Sequence, residues 1–513
     1  MRRQPNIIYI LGDDHRAEYM GCSGHPILIT PGLDGLALHG VRFANAMCTS
    51  PVCTPSRTCH YTGRWERSHG INFNSGSSLS EKAFENTFPM ILKRNGYSVG
   101  WVGKNHVPAG IGGYESGLME SRYDYWYGNH GHSYFYVKER RGGEIYRNAK
   151  LDTQIEVFTE GAMNFLDPQP GFYADSIRPM GKRDVNKPFC LCVTFNLPHD
   201  CGTLDMQLRE TDDPIYKSLY RDKTGDFPLP KTYRSLWEDP PPKIPRHVYN
   251  GIQIPHYDYV RLPEPMREKI VRTSQTVTGM DRFVCEIIKK LKDIGEDDNT
   301  VIVFSTDHGL HFGEFGLGGK SLLYDADLRI PLIIYDPRMP AHMSGVIRHD
   351  LVCPADLAAT VLDLAGLTPP DDYQGQSLKP LIYGDEVPWR QELFVEALMD
   401  IQNYPRSEGV RTHEWKYIRY FQRKEDPAQA NRLFKGTLDD YKACLSSTIY
   451  GGEQPIYEEL YNLRDDPHEI TNLALSGEGT VFLEYFRNRI LELGSRLIKQ
   501  GHMPDTCEYD NKL

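Results

Sequence analysis

The run Asn6-Ile7-Ile8-Tyr9-Ile10-Leu11 is apolar almost without alternation and stops at Gly12-Asp13-Asp14. A strand that is apolar on both faces belongs in a sheet covered on both sides, the usual state of parallel strands. Similar runs recur at Tyr97 to Val102, Phe189 to Phe195 and Val301 to Ser305. Helical patterns separate them. Pro31 to Leu38 has Thr30 as N-cap and Pro31 at the first helical position. Phe88 to Asn95 has Thr87 as N-cap and Gly96 as its stop. Met280, Phe283, Val284, Ile287, Ile288 and Leu291 follow helical spacing, and Gly295 closes that helix. The alternation predicts an α/β fold with a large, mostly parallel sheet sandwiched by helices.

From about residue 390 the pattern changes. Gly409 to Thr412, Trp415 to Tyr420 and Glu459 to Leu463 read as strands of a smaller antiparallel sheet, and Leu483 to Ile498 as a terminal helix. Residues 1–389 therefore read as the main α/β domain and 390–513 as a C-terminal α+β subdomain. Residues 202–264 are rich in Pro, Tyr and charge, as in Pro240-Pro241-Pro242 and Ile254-Pro255-His256-Tyr257. They read as an insertion that shapes a substrate entrance, because long loops in enzymes tend to carry function.

Lys plus Arg number 58 and Asp plus Glu 69, a net charge of −11. That balance argues against nucleic acid as a partner, which needs a basic face. It leaves room for a small anionic substrate at a locally positive site. No run approaches the ~20 apolar residues of a membrane span. The apolar N-terminal stretch is too short for a secretory signal, so a cytoplasmic bacterial protein is expected. Eleven Cys without regular spacing do not form a disulfide framework. Cys190 and Cys192 alternate in an apolar strand and read as small core residues.

Ligands of open α/β sheets gather at the carboxyl ends of strands. Asp13-Asp14 follows the first strand and Asp307-His308 follows the strand ending near Thr306, so both pairs map to one edge. Carboxylates favour a hard cation such as Ca²⁺, and the nitrogen of His308 brings Mn²⁺ into range. Lys104 and His106 follow the strand ending at Val102, His199 follows the strand ending at Phe195, and Gly318-Gly319-Lys320 follows the second acidic pair. With Arg57 these residues gather donors at the same edge, as a tetra-oxygen anion requires.

Cys53-Thr54-Pro55-Ser56-Arg57, followed by Thr62-Gly63-Arg64, has Pro two and Arg four residues after a Cys. It resembles the maturation signature of type I sulfatases, within the alkaline phosphatase superfamily. Gly96 to His106 resembles the second signature, and Asp307-His308-Gly309 the third metal segment. Glu459 to Pro467 with Asn472-Leu473-Ala474 resembles the closing stretch. Departures are His60-Tyr61 for two apolar residues, Val99 for Thr, Asn105 for an aromatic and His308 for Asn.

The resemblance implies a sulfatase that hydrolyses an organic sulfate monoester. Its nucleophile is the hydrate of formylglycine, made from Cys53 by a formylglycine-generating maturation enzyme. Asp13, Asp14, Asp307, His308 and an oxygen on residue 53 would hold one divalent cation. Arg57 would stabilise the diol, and Lys104, Lys320 and His199 would bind the sulfuryl oxygens. His199 or Lys320 would protonate the leaving group, and His106 would take the proton of the second hydroxyl. The substrate would be a small-molecule or saccharide sulfate ester, and the family often forms homo-oligomers. His308 keeps a phosphonate monoester or phosphodiester hydrolase as the alternative. Cys53→Ala is expected to abolish turnover of a sulfate ester while circular dichroism stays unchanged; near-normal activity would remove formylglycine from the chemistry.

Overall fold

The computed structural model describes all residues except 1–2, 73–76, 140–141, 169–180, 200, 202–205, 236–242, 246–258, 399–403, 422–453, 501–505 and 509–513. Eight strands form the main sheet: β1 (Asn6–Asp13), β2 (Val41–Phe43), β3 (Ser98–Asn105), β4 (Tyr125–His130), β5 (Phe189–Pro198), β6 (Thr300–Thr306), β7 (Leu332–Tyr335) and β8 (Val346–Arg348). Their order is β8-β2-β7-β6-β1-β5-β3-β4, and β7 alone among them runs against its neighbours. β1 pairs in parallel with β5 on one side and β6 on the other, and all of its residues are buried. That position accounts for its unbroken apolar run.

The pleat of β1 sends alternate residues to opposite layers. Tyr9 packs against Tyr61 and Phe88, with ring centroids 6.1 and 5.2 Å away. Gly12 faces the other layer, where Met280 lies 3.3 Å from where a Cβ would stand. Helices Cys53–Thr62, Phe88–Arg94 and Pro354–Leu364 pack together in the first layer, and helices Pro31–His39, Gln154–Leu166 and Pro263–Asp293 in the second.

The expected strands are present but longer. The strand read as Tyr97 to Val102 runs to Asn105, so Lys104 lies inside it. The helix read around Met280 to Leu291 is the C-terminal part of a 31-residue helix. Its first turns, Pro263-Glu264-Pro265-Met266-Arg267, are too polar to show an apolar stripe. Two expected caps differ. Thr30 makes no cap bond; its hydroxyl donates to Asp34 and accepts from the Gly21 amide. The Thr87 hydroxyl donates to the Phe84 carbonyl.

The smaller sheet is antiparallel, in the order β9 (Glu392–Ala397), β10 (Ser407–Thr412), β11 (Trp415–Tyr420) and β12 (Tyr457–Asn462). Helix Thr480–Gln500 buries Leu483, Phe486, Ile490 and Leu497 in the core that this sheet shares with Leu322, Leu323 and Tyr324. Within the 202–264 insertion, Tyr220, Phe227 and Val260 join a third core with Leu310 and Phe312. Residues 202–205, 236–242 and 246–258 of that insertion lie outside the described residues. Among the described residues no two cysteines form a disulfide, and Cys190 and Cys192 are buried in β5. Among the described residues, no helix is long and apolar enough to cross a membrane.

Buried charge ties the smaller sheet to the segments flanking helix Cys53–Thr62. Arg67, whose side chain is 0% exposed, pairs with Glu396 on β9 and, at 3.1 Å, with Glu408 on β10. Its guanidinium also lies 4.2 Å from the Phe394 ring centroid. Arg419 on β11 holds Glu408 at 2.7 Å. Nearby, the Glu396 amide donates to the Thr49 carbonyl at 2.8 Å, and Trp65 Nε1 donates to the Phe394 carbonyl at 3.0 Å. Removing one partner from such a group leaves a buried charge uncompensated. Arg67→Ala is expected to cost about 3–5 kcal/mol, read as a lower urea midpoint with unchanged far-ultraviolet dichroism in the native baseline.

Candidate active site

Four parallel strands end at one edge and carry the chemistry there. β1 ends in Asp13, and Asp14 follows in the left-handed region at φ 61°. β3 delivers Lys104 through a bend at Gly103, whose φ is 94°. A Cβ at Gly103 would stand 2.3 Å from the Thr194 carbonyl oxygen, so glycine is required for β3 and β5 to approach here. His199 follows β5, and Asp307-His308 follow β6. Cys53 opens the helix Cys53–Thr62, after Val52 in extended geometry. Its side chain therefore stands at the positive end of a helix dipole.

Cys53 Sγ is the hub. It lies 3.2 Å from Lys320 Nζ, 3.3 Å from His308 Nε2 and 3.6 Å from Asp13 Oδ1. Burial and Asp13 push its pKa up, but Lys104, Lys320 and His308 outweigh them and bring it below the usual thiol value. Arg57, one turn along the helix, donates through Nε to Asp307 at 2.8 Å and through Nη2 to Asp13 at 2.9 Å. Nη2 also reaches the carbonyls of Gly12 and Phe195, each at 3.0 Å. The same guanidinium thus ties β1, β5, the segment after β6 and the nucleophile helix together.

Lys104 Nζ bonds Asp13 Oδ2, and Lys320 Nζ lies 3.0 Å from Asp14 Oδ1. Burial would raise the Asp13 carboxyl, but Lys104, Lys320 and Arg57 hold it well below the usual carboxylate range. Burial raises Asp307, with Asp13 adding to the effect. His308 is driven well above the usual imidazole value against burial, chiefly by Asp307. Its Nδ1 lies 3.2 Å from Asp14 Oδ1. His199 Nε2 is 3.9 Å from Asp14 Oδ2, with 21% of its side chain exposed. His106 is buried, its ring centroid 4.8 Å from that of His132.

The structure thus brings Asp13, Asp14, Cys53, Arg57, Lys104, His106, His199, Asp307, His308 and Lys320 to one edge. Ligand atoms of Asp13, Cys53, Asp307 and His308 all lie within 4.8 Å of one another, and those of Asp13, Asp14 and His199 form a second such group. Buried carboxylates around one imidazole suit a hard divalent cation. Lys104, Arg57 and Lys320 balance their charge meanwhile.

Two departures noted in the sequence find physical reasons. His60 is fully buried, its Nδ1 2.6 Å from the Tyr9 hydroxyl and its Nε2 3.2 Å from the Thr306 carbonyl. Burial, helped by Arg57, pushes it down to about 3, so the neutral ring accepts from Tyr9 and donates to Thr306. Asn105 uses Oδ1 to accept from the Val107 amide at 3.0 Å, and its amide group lies 2.9 Å from His130 Nδ1.

The sequence reading missed His132. It stacks on His199 at 5.0 Å between centroids and meets His106 edge-on. Gly131-His132 follows β4 as the other site segments follow their strands, so the strand-end rule would have found it had β4 been read as a strand.

A family model described as "Sulfatase" matches residues 5–367, more than half of the chain. The chain belongs to the sulfatase family. A second model, "N-sulphoglucosamine sulphohydrolase, C-terminal", matches residues 313–435. This sulfatase is 26% identical to an N-acetylglucosamine-6-O-sulfatase of Bacteroides thetaiotaomicron, covering 84% of this chain and 83% of that one. It is 24% identical to an arylsulfatase of Clostridium perfringens, covering 95% and 94%. A solved structure in complex with its substrate D-glucosamine-2-N,6-O-disulfate shares the fold at TM-score 0.69 and 22% identity, covering 98% of this chain and 100% of that one. A phosphonate monoester hydrolase of Agrobacterium radiobacter shares it at TM-score 0.66 and 20% identity, covering 96% of each. As a member of this family the sulfatase is a sulfuric ester hydrolase, and the family implies a metal and formylglycine in general terms.

Ca²⁺ is expected to raise the thermal unfolding midpoint of this sulfatase and EDTA to reverse the gain. At a hundred times Kd the gain corresponds to about 2.7 kcal/mol. Asp307→Asn should remove most of it, and a larger gain with Zn²⁺ than with Ca²⁺ would contradict a hard-cation site.

Proposed function

We propose that this sulfatase cleaves a sulfate monoester on a saccharide, using formylglycine derived from Cys53 and one hard divalent cation, Ca²⁺ before Mn²⁺. The observation that carries this reading is the convergence of Lys320, His308 and Asp13 on Cys53 Sγ at 3.2, 3.3 and 3.6 Å. That sulfur stands for the nucleophilic oxygen of the converted residue. The relatives named N-acetylglucosamine-6-sulfatase support a sugar as the alcohol.

When present, the hydrated aldehyde and the cation would supply an activated hydroxyl for attack on sulfur and a second hydroxyl for sulfate expulsion. Asp13, Asp14, Asp307 and His308 would hold the cation. Arg57 fixes Asp13 and Asp307 and supports the hydrated side chain. Asp307 assists removal of the attacking proton. Lys104, Lys320 and His199 bind the sulfuryl oxygens through charge-assisted hydrogen bonds. His199, the partly exposed member, protonates the departing oxygen, with Lys320 as the other candidate for that role. His106 receives the proton of the second hydroxyl. A formylglycine-generating enzyme is the partner this scheme needs.

A second reading, phosphonate monoester or phosphodiester hydrolysis on the same machinery, has one observation in its favour: His308 beside Asp307, 3.3 Å from Cys53 Sγ. A comparison of kcat/KM on an aryl sulfate and an aryl phosphonate monoester ranks the two. The sulfate is expected to lead, and the reverse ranking would replace the first reading with the second.

Mass spectrometry of the tryptic peptide Phe43 to Arg57 tests the conversion itself. The aldehyde is expected at Cys53 after co-expression with a maturation enzyme, with Cys48 in the same peptide unchanged. A persistent thiol at Cys53 under those conditions would overturn the proposed nucleophile.

A further inference from the structure

The roles above leave one imidazole of the site unused. We propose that His132 is a further substrate-contacting residue of this sulfatase, donating a hydrogen bond to a sulfuryl oxygen held over residue 53. The inference rests on the sulfate-ester reading and adds a residue to its site.

Geometry carries it. Cys53 Sγ and ring nitrogens of His106 and His132 lie within 4.8 Å of one another. For three atoms so spaced, some point lies within about 2.8 Å of all three, which is a hydrogen-bond length. One oxygen there would touch the nucleophile's position and both rings. Asp13, Asp307 and His308 form a separate group around the same Sγ. Residue 53 is thus shared by the cation group and the two imidazoles, and the tetrahedral anion has donors besides the cation ligands.

The loop bearing His132 is built to hold it. Gly131 turns it in the left-handed region at φ 71°, and its amide donates to the Asn105 carbonyl at 2.8 Å. Asn129 Oδ1 accepts from the hydroxyls of Ser133 at 2.6 Å and Tyr146 at 3.0 Å. Its amide group reaches the His132 carbonyl at 3.4 Å. Ring stacking on His199, 30° from parallel, and the edge contact to His106 fix the imidazole plane. Preorganised donors of this kind cost no reorganisation when charge arrives. Burial, with Lys104, His106 and His199 beside the ring, keeps it neutral, so it offers an N–H without adding to the local positive charge.

The test uses the full chain in its thiol form with Ca²⁺, titrated with sodium sulfate by calorimetry. His132→Ala is expected to weaken sulfate binding by on the order of tenfold or more, as loss of a hydrogen bond to a charged group does. His132→Asn or His132→Gln, which keep an N–H donor, should recover most of that loss with all melting midpoints alike. Sulfate affinity in His132→Ala equal to the parent, failure of both amide variants to recover it, or no sulfate binding by the parent would each overturn the inference. Turnover of an aryl sulfate by the converted parent is measured separately. Its absence would remove the proposed activity, whereas turnover with unaltered sulfate affinity in His132→Ala would remove only the role given to His132.

Discussion

The fold holds three buried carboxylates, Asp13, Asp14 and Asp307, at one point, and the architecture depends on how their repulsion is met. Unpaired charges in such a place would each cost several kcal/mol. Arg57 meets Asp13 and Asp307 with one planar fork, Lys104 gives Asp13 a second partner, and Lys320 meets Asp14. These cations come from a helix, a strand and a loop far apart in the chain. Electrostatic balance at the edge therefore fixes the relative position of β1, β3, the segment after β6 and the nucleophile helix.

Much of this was legible in the sequence because parallel sheets leave a strong trace. β1, β3, β5 and β6 are buried on both faces, so each shows as an apolar run, and the residues after each run fall at one edge without further information. Asp13, Lys104, His199 and Asp307 were locatable on that argument alone. Cys53 and Arg57 were locatable through the motif they share. β4 was not read because Tyr125-Trp126-Tyr127-Gly128-Asn129-His130 mixes aromatics with polar residues, and His132 was lost with it. β9 was missed because Glu392 and Glu396 break its apolar character, although Glu396 is fully buried.

Buried charge is what pattern reading handles least well. Arg67, Glu396, Glu408 and Arg419 look like surface residues in a sequence, since charged side chains are almost never fully buried unless paired. Their pairing is set by tertiary position, which the local pattern does not contain. His60 is the same case on a smaller scale: a polar residue at an apolar position, made acceptable by Tyr9 on one nitrogen and the Thr306 carbonyl on the other. In both places the odd residue marks a joint between layers.

The clasp between Arg67 and Glu396 spans 329 residues of sequence. On a ribosome, the segment around Cys53 emerges long before β9 exists to receive it. At ordinary elongation rates that interval is on the order of half a minute. In the finished fold Cys53 is buried at the start of a helix and walled in by charge. Any agent that must reach residue 53 from outside would meet it most readily on the growing chain, before the C-terminal sheet is made.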